Sequence, residues 1–90
     1  MNSATNNAAS ESIKSLFVSL KTPAEFSAKA DHFAMLADRA EGQLANFLAN
    51  IGSALNAQRH VLLSLRCGDV AEAARQSLEV GRHLHAAGVN

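Results

Sequence analysis

Apolar positions along this chain recur at helical spacing, and no stretch alternates with the period of a strand. Ile13, Leu16, Phe17 and Leu20 stand at i, i+3, i+4 and i+7, one face of a short helix. A longer stripe follows. Phe33, Ala37, Ala40, Leu44, Phe47, Ile51, Leu55, Leu62 and Leu65 recur at spacings of three, four or seven, and Gln58 interrupts the register. A third series, Val70, Ala73, Ala74, Ser77, Leu78, Gly81 and Leu84, is built of small residues and suits close packing against another helix. Beside it run Glu72, Arg75, Glu79 and Arg82 at i+3 and i+4 spacing, a ladder suited to solvent.

Start and stop signals divide these faces into elements. Residues 1–9 are small and polar and predict a disordered tail, leaving 10–90 as a single helical domain. Ser10 is placed to cap the first helix. In "KTPAEF", Thr22 is an N-cap, Pro23 takes the first helical position, and Glu25 can reach back to the cap, so a helix begins there. In "CGDVAE", Gly68 ends one helix, Asp69 caps the next, and Glu72 is expected to complete a second capping box. The last helix is expected over 70–85, fraying at Gly88.

Nothing between Pro23 and Arg66 forces a break, and the spacing favours one continuous helix, about 65 Å long. The alternative is a break in "NIGSAL", with Gly52 as stop and Ser53 as cap. The predicted fold is all-α: a short N-terminal helix, a long central helix and a C-terminal helix, forming an antiparallel helical hairpin or small bundle. Hairpins turning near 22 and 68 would cover the two ends of the long helix and leave 35–49 bare. Apolar surface in water is unfavourable by about 25 cal/mol per Å² and marks an interface. The candidate partner interface is Phe33, Leu36, Leu44, Phe47, Leu48, Ile51 and Leu55. Residues 42–58 carry no charge, and Gln43, Asn46, Asn50 and Ser53 form a neutral polar stripe opposite Phe47 and Ile51. Interface cores are depleted in charge in the same way.

Composition narrows the classes of function. Eight basic and eight acidic residues cancel and are interleaved, so there is no electrostatic footprint for nucleic acid or an anionic membrane. Four Phe with no Trp or Tyr make a poor stacking platform for single strands. No run of about 20 apolar residues is present to span a bilayer. One cysteine excludes an internal disulfide framework and fits a reducing compartment, so a cytoplasmic location is expected.

The residue types that could carry chemistry do not converge in a hairpin. With a turn at Gly68, His60 falls opposite residue 76 and His83 opposite residue 53, about 10 Å apart along the axis. His83 and His85 are two residues apart and point to opposite sides of a helix. Cys67 and Asp69 sit at the turn, and His32 lies at the far end. Zinc ligands must approach the ion to about 2.0–2.3 Å, which three of these groups in one chain cannot do. Cys67 adjoins Arg66 but has no histidine base in reach, and Asp31, Asp38 and Glu41 read as a solvated face. No catalytic residue, metal ligand or cofactor is assigned.

Three resemblances can be drawn. "LRCGDVAEAA" resembles the turn of a tetratricopeptide-type helix pair, with Gly68 as turn glycine and Ala73 as small packing residue, though no second repeat follows. The last two helices are similar to the closing pair of the ligand-binding domain of GntR-type regulators, which implies metal-binding histidines; the histidine spacing here differs. The short helix, the "TPAEF" start and the helical hairpin resemble, in size and plan, the small co-chaperones of type III secretion needle subunits. The reading that follows is a non-enzymatic protein-interaction protein, self-associating or client-binding, an adaptor or chaperone-like accessory. It would recognise its partner as a helix laid in a groove. The alternative is a metal- or ligand-responsive regulator using His60, His83 or His85.

Overall fold

The computed structural model describes residues 3–89, which form four α-helices: α1 (Ser3–Ser19), α2 (Pro23–Arg39), α3 (Gly42–Arg66) and α4 (Val70–Ala86). They make a small all-α bundle in which α3 packs against α2 on one side and α4 on the other. The molecule measures 45 × 25 × 20 Å.

The expected long helix is two helices. Ala40 and Glu41 are extended (φ −97° and −134°), and Gly42 takes a left-handed φ of +64°. Glycine reaches that conformation without the Cβ penalty other residues meet, so the chain reverses there. The break lies at this corner and not at Gly52, which is buried in the middle of α3. A Cβ on Gly52 would stand 3.5 Å from the Ala30 carbonyl oxygen and 3.5 Å from the Phe33 Cβ. Gly52 is therefore where α3 crosses close to α2, and the stretch 35–49 that was expected to lie bare is the two halves of a hairpin.

The capping box at the start of α2 forms as expected. The Glu25 N–H donates to Thr22 Oγ1 (3.2 Å), and the Thr22 N–H donates to Glu25 Oε1 (2.9 Å). At the α3–α4 turn, Gly68 (φ +76°) donates to the Leu65 carbonyl and Asp69 to the Ser64 carbonyl, the two bonds of a Schellman cap. Asp69 Oδ1 then accepts the Glu72 N–H at 3.0 Å. Glu72 does not complete a second box; its carboxylate is engaged by Arg75 and Gln76.

Both ends of the chain extend the bundle further than expected. The helix expected from Ser10 starts at Ser3, and Ser10 is buried within it; Met1 and Asn2 of the expected tail lie outside the described residues, as does Asn90. Alanine-rich sequence favours helix, and Ala9 and Ser10 have packing neighbours, since they line one cleft with Phe47 and Val89. After α4, Gly88 (φ +82°) makes a second Schellman cap: Gly88 donates to His85 and Val89 to Leu84. This turns Val89 into the core at 6% exposure instead of leaving a frayed end.

The core is Ile13, Phe26, Ala30, Ile51, Leu55 and Val89, ringed by half-buried Leu16, Phe17, Phe33, Phe47, Leu62 and Leu84. Phe17 holds α1 to α2 with its ring 5.8 Å from that of Phe26. No buried side-chain nitrogen or oxygen among the described residues lacks a hydrogen bond.

Candidate interaction surface

The seven residues expected to meet a partner separate into three groups. Ile51 and Leu55 are 0% exposed and belong to the intramolecular core, so they cannot form an interface in the folded chain. The reason is the corner at Ala40–Gly42, which brings α2 over the face of α3 that a continuous helix would have left open. Phe33 and Phe47 are half-buried and pack against that core, and Leu36 and Leu48 are also half-buried. Only Leu44 stands in solvent, at 58% exposure.

Other large apolar side chains share that exposure. Met35 lies, like Leu44, within about two helical turns of the corner. Val18 on α1 and Leu65 at the end of α3 are also exposed. Leu78 on α4 is the most exposed at 75%, followed by Val18 at 70% and Val70, also on α4, at 69%. Alpha-helical geometry explains the two on α4. Ala73, Val80 and Leu84 share one side of the helix and are buried or half-buried, while Val70, Ala74, Leu78 and Gly81 are exposed and lie about 60–140° around the axis from Ala73. The small-residue face read from the sequence is thus divided: one edge is covered by α3, and the rest has no cover among the described residues. No heavy atom outside its own helix approaches within 4 Å of where a Gly81 Cβ would be.

The neutral stripe of α3 is also accounted for. Gln43, Asn46 and Ser53 are exposed and Asn50 is half-buried. Ser53 lines two shallow grooves, one against α2 with Asp31 and Asp38, the other against α4.

The α3–α4 groove, about 260 Å³, gathers His60, His83, Arg75, Gln76 and Glu79 with Ser53 and Asn56. This is the hairpin register expected from the sequence. His83 Nε2 lies 3.8 Å from Glu79 Oε1. Among the described residues, no three His, Cys, Asp or Glu side chains are grouped to hold a metal ion. Cys67 is exposed at the turn.

Charges on α4 pair along the helix. Arg75 makes a two-pronged contact with Glu72, Nε to Oε1 at 2.9 Å and Nη2 to Oε2 at 2.6 Å, and Arg82 bonds Glu79. The Arg75 bonds, then that from Gln76, hold the Glu72 carboxyl down to about 2. The Arg82 bond lowers the Glu79 carboxyl in the same way. The Arg75–Glu79 rung of the expected ladder is not a direct contact; it acts only through the field of the two charges.

Two features of the surface were missed in the sequence: the corner at Gly42 and the docking of Val89. Each had a local signal. Glu41–Gly42 is a glycine punctuation inside a helical run. Gly88–Val89 is a left-handed glycine followed by the apolar residue that a Schellman cap folds back onto its helix.

The fold and these contacts define a four-helix all-α protein, and among the described residues no helix is long and apolar enough to cross a membrane. The chain matches no protein-family model, no curated protein and no solved structure.

Proposed function

We propose that this is a small protein-interaction protein that presents apolar helical surface to a protein partner, either its own copy or a client, and does no catalysis. The observation that carries the reading is the exposure of large apolar side chains on a chain of 90 residues, with Leu44, Leu65, Val70 and Leu78 each more than half accessible. Single exposed apolar residues are ordinary on protein surfaces. Here two of the four stand on one outward helix face together with Ala74 and Gly81, which admit a close neighbour. The uncharged, shallow-grooved side of α3 supports the same reading, because charge depletion accompanies interface cores. The lone exposed Cys67 suits a reducing compartment such as the cytoplasm.

The test is a photo-crosslinking amino acid placed at Leu44 or Leu78 in the native cell, with Lys29 as an exposed control site. The expected result is a discrete crosslinked species at one or both apolar positions and none at Lys29. Its mass tells a second copy from a client. Equal, diffuse labelling at all three positions would overturn the reading.

A further inference from the structure

We propose that α1 is an exchangeable element: two copies of this chain trade their α1 helices, each closing in the other the groove that it closes in the single chain. The inference goes beyond the interaction reading, which concerns exposed side chains, because the surface used here is the buried one.

The helices are held in two different ways. α3 runs close to α2 and to α4, and at Gly52 its backbone nears that of α2. Among the described residues, α1 has no comparable close approach to any of the three. It rests on them through Ile13, Leu16, Phe17 and Leu20, with the Phe17 ring against that of Phe26. Its polar contacts are local: Lys14 pairs with Glu11, and Ser19 Oγ donates to the Leu16 carbonyl. Apolar contact is non-directional and depends on the face presented, so an identical helix from another chain satisfies the groove equally well.

The joint between α1 and α2 is also unlike the other two. The corner before α3 and the turn before α4 each hold a left-handed glycine, Gly42 at φ +64° and Gly68 at +76°. The joint Leu20–Thr22 has no glycine and no positive φ, and Thr22 is already extended (φ −121°, ψ 154°). It uses backbone conformations open to any residue. Each side keeps its own helix end. The Leu20 N–H donates to the Leu16 carbonyl, while the Lys21 and Thr22 N–H groups both donate to Glu25 Oε1. One exposed bond, from Lys21 Nζ to the Val18 carbonyl, spans the joint. The joint can therefore swing without uncapping α2 or fraying α1.

What α1 covers decides the occupant. Phe26, Ile51, Leu55 and Val89 form one cluster with Ile13, and none of the four is more than 6% exposed. An α1 that swings away bares this groove and its own apolar face together, which is unfavourable in water. The groove has to be closed again, and the helix that fits it is α1. A second copy supplies the same four residues at the same spacing. The exchanged pair recovers the α1 contacts of the single chain and differs from it at the joint and in the cost of association. Exchange then grows with concentration by mass action.

The first measurement is molar mass by light scattering with in-line chromatography, on the untagged full chain incubated over a range of concentrations. A species at twice 9.5 kDa should appear and grow with concentration. The second shows which surface joins the copies. Ala9 on α1 and Ala87 after α4 line one cleft, so they are neighbours across the proposed exchange. Two single-cysteine chains are made in a Cys67→Ser background, Ala9→Cys and Ala87→Cys. They are incubated together at high concentration and treated with a short bis-thiol crosslinker. The mixture should give a covalent pair of twice the chain mass on a denaturing gel, and neither variant alone should give it. Both substitutions are small and leave the apolar face of α1 intact, so circular dichroism should be unchanged.

A folded wild type that stays at the single-chain mass to its solubility limit overturns the proposal. So does a doubled mass without the 9–87 crosslink in the mixture, since the copies would then meet on some other surface. Neither failure touches the broader reading, whose crosslinking test at Leu44 and Leu78 probes residues that α1 does not cover.

Discussion

Replacing Gly52 with alanine should stabilise this protein, although the position is fully inside the bundle and looks, in sequence, like a helix stop. Gly52 has ordinary helical backbone in the middle of α3, with no positive φ to protect. Alanine in a helix interior is favoured over glycine by about 0.8–1 kcal/mol. The added methyl would meet Ala30 O and Phe33 Cβ at 3.5 Å and Ala34 N at 3.7 Å, ordinary contact distances that require no movement of α2. A buried methyl contributes up to about 0.8 kcal/mol more when its surroundings are already in place, less whatever small adjustment the crossing makes. The expected change is a gain of about 1 kcal/mol. For a chain of this size that raises the midpoint of thermal unfolding by about 4–8 °C. Urea titration followed by circular dichroism measures it, at one fixed protein concentration because association feeds into apparent stability. Gly52→Leu serves as the opposing arm: the longer side chain would have to enter the α2 backbone, a loss of about 1–3 kcal/mol from overpacking. If Gly52→Ala instead loses stability, α2 and α3 lie closer than 3.5 Å allows and the glycine is there for the crossing.

Two further outcomes follow from the core and from α4. Leu55→Ala, at a fully buried position, should cost about 2–5 kcal/mol, a large share of what a chain this small can hold; urea titration reads it directly. Glu72 has its folded-state value depressed from 4.5 to about 2 by Arg75 and Gln76, so its contribution is complete above about 4.5 and lost as pH falls through about 2. Unfolding free energy measured between pH 5 and 2 should therefore fall less steeply in Glu72→Gln than in the wild type; identical slopes would refute the assignment.

Much of the fold was legible because helix ends carry local chemistry. Thr22, Pro23 and Glu25 announce α2, and Gly68 with Asp69 announces the α3–α4 turn, through atoms only a few residues apart. The α3–α4 register was legible for the same reason, since a hairpin with a fixed turn leaves no freedom of pairing. The corner at Ala40–Gly42 was hidden by the periodicity itself. Two helices joined by a short extended link can bury the same stripe that one continuous helix would carry, so Ala37, Leu44, Phe47 and Ile51 keep step across a reversal of the chain. That error moved Ile51 and Leu55 from core to supposed interface. Gly52 misled in the opposite way: glycine serves turns and close helix crossings alike, and the two differ only in tertiary context. The outer face of α4 was half legible, since its small residues suggested packing, but which edge α3 takes depends on the rotation of a helix about its own axis.

The corner at Ala40–Gly42 has a kinetic consequence. Because the chain reverses there, α2 docks on its successor α3, and α3 on its successor α4. These interhelical contacts close over loops of only a few residues. Low contact order of this kind goes with folding in microseconds to milliseconds, since little chain entropy is lost before the first apolar contacts form. Ile51 and Leu55, midway along the helix shared by both hairpins, are where those contacts meet, so a nascent chain that has released residues 23–66 already holds one complete hairpin before α4 arrives.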